Sequence, residues 1–113
     1  MHELGIALEI MNIVEDQMSK RSLDRLKEVG VRVGSLSGVD PEALSFSFEA
    51  ATIDTPLAGA ELVIEQIPVR GACRSCGKEV EVDDFVFMCP HCDSRDIEIT
   101  QGQELDVAYL VEK

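Results

Sequence analysis

The four cysteines of this chain fall as Cys73-Arg-Ser-Cys76, a twelve-residue spacer and Cys89-Pro-His-Cys92. Each pair sets two sulfurs on one tight turn, and the spacer lets the second turn close a tetrahedron, the arrangement that suits zinc. Four thiolates leave no open coordination position, so such a metal is expected to be structural and function must lie elsewhere. The segment from residue 71 to about 96 is too small to bury a stabilising core, and metal binding has to supply about 10 kcal/mol or more of its folding free energy. His91, between the second pair of sulfurs, is expected on the outside of its knuckle rather than on the metal.

Two other uses of the cysteines compete with this reading. A pair of disulfides would require export, yet Glu3, Glu9, Glu15 and Asp16 interrupt the start where a signal peptide would be apolar. An iron-binding electron carrier of the rubredoxin type would leave the first seventy residues without a role, and one Tyr, four Phe and no Trp are sparse for its core.

The length, 113 residues, suffices for one compact domain or a small domain with a minidomain, and 45% hydrophobic content excludes a disordered chain. No apolar run approaches the ~20 residues of a membrane span. Acidic residues outnumber basic ones by 22 to 10, a surface that repels phosphate backbones. The expectation is a cytoplasmic protein that engages neither membrane nor nucleic acid. Glu9, Glu15, Asp16 and the pair Asp83-Asp84 read as a solvated face. No nucleophile–base pair or carboxylate dyad stands at a recognisable spacing, so catalysis is not expected.

Along the chain, Leu4, Ala7, Leu8, Met11, Val14 and Met18 repeat every three or four residues, which predicts a helix from Met1 to about Ser19. Val29, Val31 and Val33 alternate as a strand with one buried face. Asp40-Pro41-Glu42 reads as a helix start with Asp40 as N-cap, and Thr55-Pro56 as its end. Glu61 to Val69 reads as a strand in which Pro68 suggests an edge or a strand end. Asp96 to Thr100 reads as a short strand, and Leu105, Val107, Tyr109 and Val111 alternate as another that returns to the first sheet. The fold class is α/β: a small three-stranded sheet with two helices plus an inserted zinc-ribbon-like domain. The corresponding division is residues 1–70, completed by 103–113, and residues 71–102.

His2 offers a second site. At that position the terminal amine of Met1, the His2 amide and the imidazole form fused chelate rings, a nitrogen-rich set that nickel(II) and copper(II) favour. Glu3 adds an amide and a carboxylate, and Asp40 could add an oxygen if its turn folds back. Taken together, Met1-His2-Glu3-Leu4 opening an amphipathic helix, Val33-Gly34 closing a strand, the paired knuckles with Ser94, and Ile99-x-Gln101-Gly102-x-Glu104-Leu105 resemble the HypA/HybF family of hydrogenase nickel-maturation chaperones. The resemblance spans nearly the whole chain. It implies nickel(II) as transferred cargo, with ligands at Met1, His2, Glu3 and Asp40, and structural zinc(II) on Cys73, Cys76, Cys89 and Cys92. It further implies delivery to the large subunit of a nickel-iron hydrogenase with a HypB-type nickel GTPase, and in some organisms dealings with urease maturation proteins. The alternative is a zinc-ribbon interaction adaptor with an inert amino terminus and no nickel transfer.

Overall fold

The computed structural model describes residues 2–82 and 86–113; Met1 and the acidic pair Asp83-Asp84 lie outside them. In chain order the elements are α1 (His2–Arg21), β1 (Leu26–Gly34), α2 (Pro41–Ala51), β2 (Glu61–Ile67), β3 (Arg70–Cys73), β4 (Glu79–Glu81), β5 (Ile97–Gln101) and β6 (Leu105–Glu112). The strands form two three-stranded sheets, ordered β2-β1-β6 and β4-β3-β5.

The spacing of apolar residues on α1 buries Ala7, Ile10, Met11, Val14 and Met18, with acidic Glu3 in the first turn and Lys20 and Arg21 in the last. Ser22 in the left-handed conformation ends it, and the Leu23 N–H closes back on the Met18 carbonyl at 2.9 Å. Asp40 caps α2: its backbone is extended and its carboxylate accepts from the Glu42 and Ala43 N–H groups. The helix stops at Ala51, short of the expected Thr55-Pro56. There the Thr55 hydroxyl donates to the Thr52 carbonyl at 2.6 Å and Asp54 turns left-handed, so the chain leaves helical geometry before the proline is reached.

β1 runs parallel to β2 and antiparallel to β6. Val29, Val31 and Val33 of β1 join Leu44 and Phe48 of α2 and the buried stripe of α1 in one core, flanked by Leu62, Ile64, Val107 and Leu110. The expected strict alternation along β6 fails. Val31 pairs with Val107 but its neighbour Gly30 pairs with Tyr109, so a bulge at Ala108 shifts the pattern. Val107 and Leu110 therefore reach the core, while Tyr109 lies where a Cβ on Gly30 would stand and its hydroxyl donates to Glu28 at 2.5 Å.

The second sheet has a small core of Val69, Cys73, Val80, Val82 and Cys89, against which Leu36, Phe87, Ile97 and Ile99 pack. The two sheets meet where the chain leaves and returns. Gly34 N–H donates to the Glu104 carbonyl and Leu36 N–H to the Gly102 carbonyl, both at 2.7 Å, and Ser35 N–H donates to Ile67.

Candidate metal centres

All four cysteines are free thiols, and their sulfurs lie within 4.8 Å of one another. Cys73 Sγ is 3.5 Å from Cys92 Sγ, and Cys76 Sγ is 3.6 Å from Cys89 Sγ. A tetrahedron of ~2.3 Å zinc–sulfur bonds has edges of about 3.8 Å, whereas a disulfide is ~2.05 Å, so these sulfurs fit coordination and not oxidation. The two knuckles are built alike. The Cys76 N–H donates to Cys73 Sγ and the His91 N–H to Cys89 Sγ, each at 3.4 Å. Each turn is closed by a left-handed residue, Gly77 after the first pair and Asp93 after the second. A Ser75–Ser94 hydroxyl contact of 2.8 Å ties one knuckle to the other, and Arg74 pairs with Asp96 and Glu98 beside them. The His91 side chain is exposed and outside the sulfur cluster.

Crowding four thiols splits their acidity. The Cys76 N–H, opposed by burial and helped by the Cys92 thiol, lowers Cys73 to about 6. The Ser94 N–H acts to lower Cys92, but the Cys73 sulfur, burial and the Cys89 and Cys76 sulfurs outweigh it and push Cys92 up to about 12. A first thiolate is thus cheap and a further one costly until a cation compensates the charge.

The amino terminus meets the loop ahead of α2. His2 Nε2 is 3.1 Å from the Gly38 carbonyl and 3.1 Å from Glu3 Oε2, with the imidazole 59% exposed and the Glu3 side chain 13% exposed. Both neighbours are acceptors, so in the neutral ring the proton sits on Nε2 and Nδ1 keeps its lone pair. Glu3 Oε2 also accepts from the Asp40 N–H at 3.2 Å, which, against the cost of burial, holds the Glu3 carboxyl below its usual value. The turn ahead of α2 brings the Asp40 backbone next to Glu3, while Asp40 Oδ1 is committed to the α2 cap. The starts of α1 and α2 share this corner, and the positive ends of both helix dipoles favour the two carboxylates there. The Gly38 carbonyl was not foreseeable as a partner of His2, because any residue can supply a backbone oxygen and only the fold puts this one in reach.

Residues 1–111 match the family described as hydrogenase/urease nickel incorporation, metallochaperone, hypA. Hydrogenase maturation factor HypA of Chloroflexus aurantiacus is 44% identical over 111 residues, 97% of each chain. The factor of the same name from Geobacter metallireducens is 44% identical over 110 residues, again 97% of each. The fold matches a solution structure of HypA protein with a TM-score of 0.75 at 23% identity, covering 100% of this chain and 97% of that one. It also matches the solution structure of the nickel metallochaperone HypA from Helicobacter pylori, with a TM-score of 0.70 at 22% identity, covering 97% and 96%. Full-length similarity at this level, together with the four-sulfur cluster and the His2 corner, makes the chain a member of the HypA family of hydrogenase maturation factors and nickel metallochaperones.

Proposed function

We propose that this chain carries nickel(II) on its amino terminus and hands it to the large subunit of a nickel-iron hydrogenase, working in the cytoplasm with a HypB-type GTPase and acting as a carrier, not a catalyst. Met1 supplies the amine, His2 its amide and Nδ1, Glu3 its amide, and Asp40 an outer oxygen. Cys73, Cys76, Cys89 and Cys92 hold zinc, which cross-links the two knuckles. Residues 1–70 with 103–113 form the nickel-binding unit, and residues 71–102 the zinc unit.

The observation that carries this reading is the contact of His2 Nε2 with the Gly38 carbonyl. It supports a ring whose other nitrogen is open to cargo, since Nδ1 is the atom that closes a chelate ring with the residue's own amide. The His2 and Glu3 N–H groups also belong to the first turn of α1, whose N–H groups have no partner within the helix, so deprotonating them costs no helix hydrogen bond. A site of backbone nitrogens at an exposed chain end suits loading and release.

Calorimetric titration of the untagged protein with nickel tests this. The expected result is one site of roughly micromolar order, lost in His2→Ala and equally lost when residues are added before Met1, with unchanged circular dichroism in both. Parent-like binding by His2→Ala overturns the proposal.

A further inference from the structure

The side of α2 turned away from the core has no use in either metal site. Phe46 is 74% exposed and Ile53, in the turn just past the helix, is 64% exposed. With Ala50 they stand at i, i+4 and i+7, one stripe opposite the buried Leu44 and Phe48. Single exposed apolar residues are ordinary, but a row of them is not. The stripe and Glu49 line a hollow of about 230 Å³. On the far side of the ridge made by Glu49 and Ile53 lies a larger hollow of about 510 Å³, walled by Ala58, Ala60, Glu61 and Leu62.

The charge around this stripe has one sign. Between Arg32 and Arg70 the chain contains no Lys or Arg, and it contains Asp40, Glu42, Glu49, Asp54, Glu61 and Glu65. Glu42 and Glu49 stand at i−4 and i+3 from Phe46, and both are exposed. Among the described residues neither they nor Asp54 or Glu61 are in an ion pair.

We infer that α2 and the turn after it are a docking surface for a partner protein that presents a basic amphipathic helix, its apolar stripe on Phe46, Ala50 and Ile53 and its Lys or Arg side chains on the flanking carboxylates. Charge selects this occupant. A second copy would bring the same acidic fringe against itself, and an anionic lipid surface would be repelled. Phe46 lies six residues beyond Asp40, about 9 Å along the helix axis, so the partner sits beside the amino-terminal corner. The inference rests on the apolar and charge pattern alone and is independent of nickel binding.

The probe is a fluorescent peptide of about five helical turns with Leu on one face and Lys on the other, measured by anisotropy against the full-length protein. A peptide of identical composition with the Leu residues scattered round the helix is the control. Phe46→Ser/Ile53→Ser is expected to weaken binding about tenfold or more, Glu49→Gln to flatten its salt dependence, and both to leave nickel stoichiometry unchanged. Equal binding of the scattered peptide, or parent-like binding by the double variant, overturns the inference. So does a parent that sediments as a dimer and becomes a monomer on Phe46→Ser/Ile53→Ser, because a second copy then covers the stripe.

Discussion

Asp40 does two jobs with different atoms: its N–H donates to Glu3 and its Oδ1 caps α2. The cap is legible in the Asp-Pro-Glu order, whereas the contact with Glu3 depends on a residue thirty-seven positions earlier and leaves no local trace. The proposed role of Asp40 as a nickel oxygen separates from the cap by substitution. Asn is as good an N-cap as Asp, so Asp40→Asn should leave thermal stability nearly unchanged, while Asp40→Ala should cost about 1 kcal/mol. If the carboxylate also binds cargo, Asp40→Asn weakens nickel binding in calorimetry without moving the melting temperature. Glu3 gives a pH prediction. Its carboxyl is held below 4.5 chiefly by the Asp40 N–H, so this contact contributes fully above the ordinary value and is lost as pH falls through the lowered one. The Asp40 amide resonance should therefore titrate with a midpoint below 4.5; a midpoint at or above it would show that the carboxylate is not held.

The strands of the first sheet were legible in the sequence and the helices by three-and-four spacing, whereas β3 and β4, of four and three residues, are too short to carry a pattern and were not read, and β6 shows where pattern reading stops. Leu105, Val107, Tyr109 and Val111 alternate smoothly, yet the bulge turns Leu110 inward because the bare Gly30 on β1 receives the Tyr109 ring. Register is a property of the pair of strands, and one strand's pattern cannot carry it. Two glycines of β1 then make contrasting predictions. A Cβ at Gly34 would stand 2.1 Å from the Gly102 carbonyl oxygen, a backbone atom in the joint between the sheets. Gly34→Ala should destabilise by about 1–3 kcal/mol or more in denaturant unfolding, since no rotamer relieves it. At Gly30 the obstacle is the Tyr109 side chain, which can swing into solvent. Gly30→Ala should therefore cost less, and its signature is loss of the Tyr109–Glu28 hydrogen bond, read as a phenol that ionises at lower pH because that carboxylate now holds it up.

Over the whole chain the radius of gyration is 17.4 Å, against about 13 Å for a compact globule of this length. The excess follows from two cores that do not merge, one spanning both helices and the other containing five buried residues, two of them cysteines. The paired thiols announced this second core in the sequence, because a segment as short as residues 71–102 could not have closed one unaided. Stability is accordingly expected to divide. Removing the metal with a chelator, or Cys73→Ser, should abolish amide protection in β3, β4 and β5 while Val29, Val31 and Val33 of β1 keep theirs; simultaneous loss in both sheets would mean a single cooperative unit. Acid should act through the same sulfurs. Cys73 is an acid whose pKa is lowered from 9.0 to about 6, so its contribution is present above the ordinary value and is lost as pH falls through about 6. A thiol must lose its proton to coordinate the metal and regains one when the metal leaves. Metal release to a colorimetric chelator should therefore rise as pH falls, each ligating thiolate taking up a proton as it leaves the metal; release that does not depend on pH would mean that the four sulfurs are not the ligands.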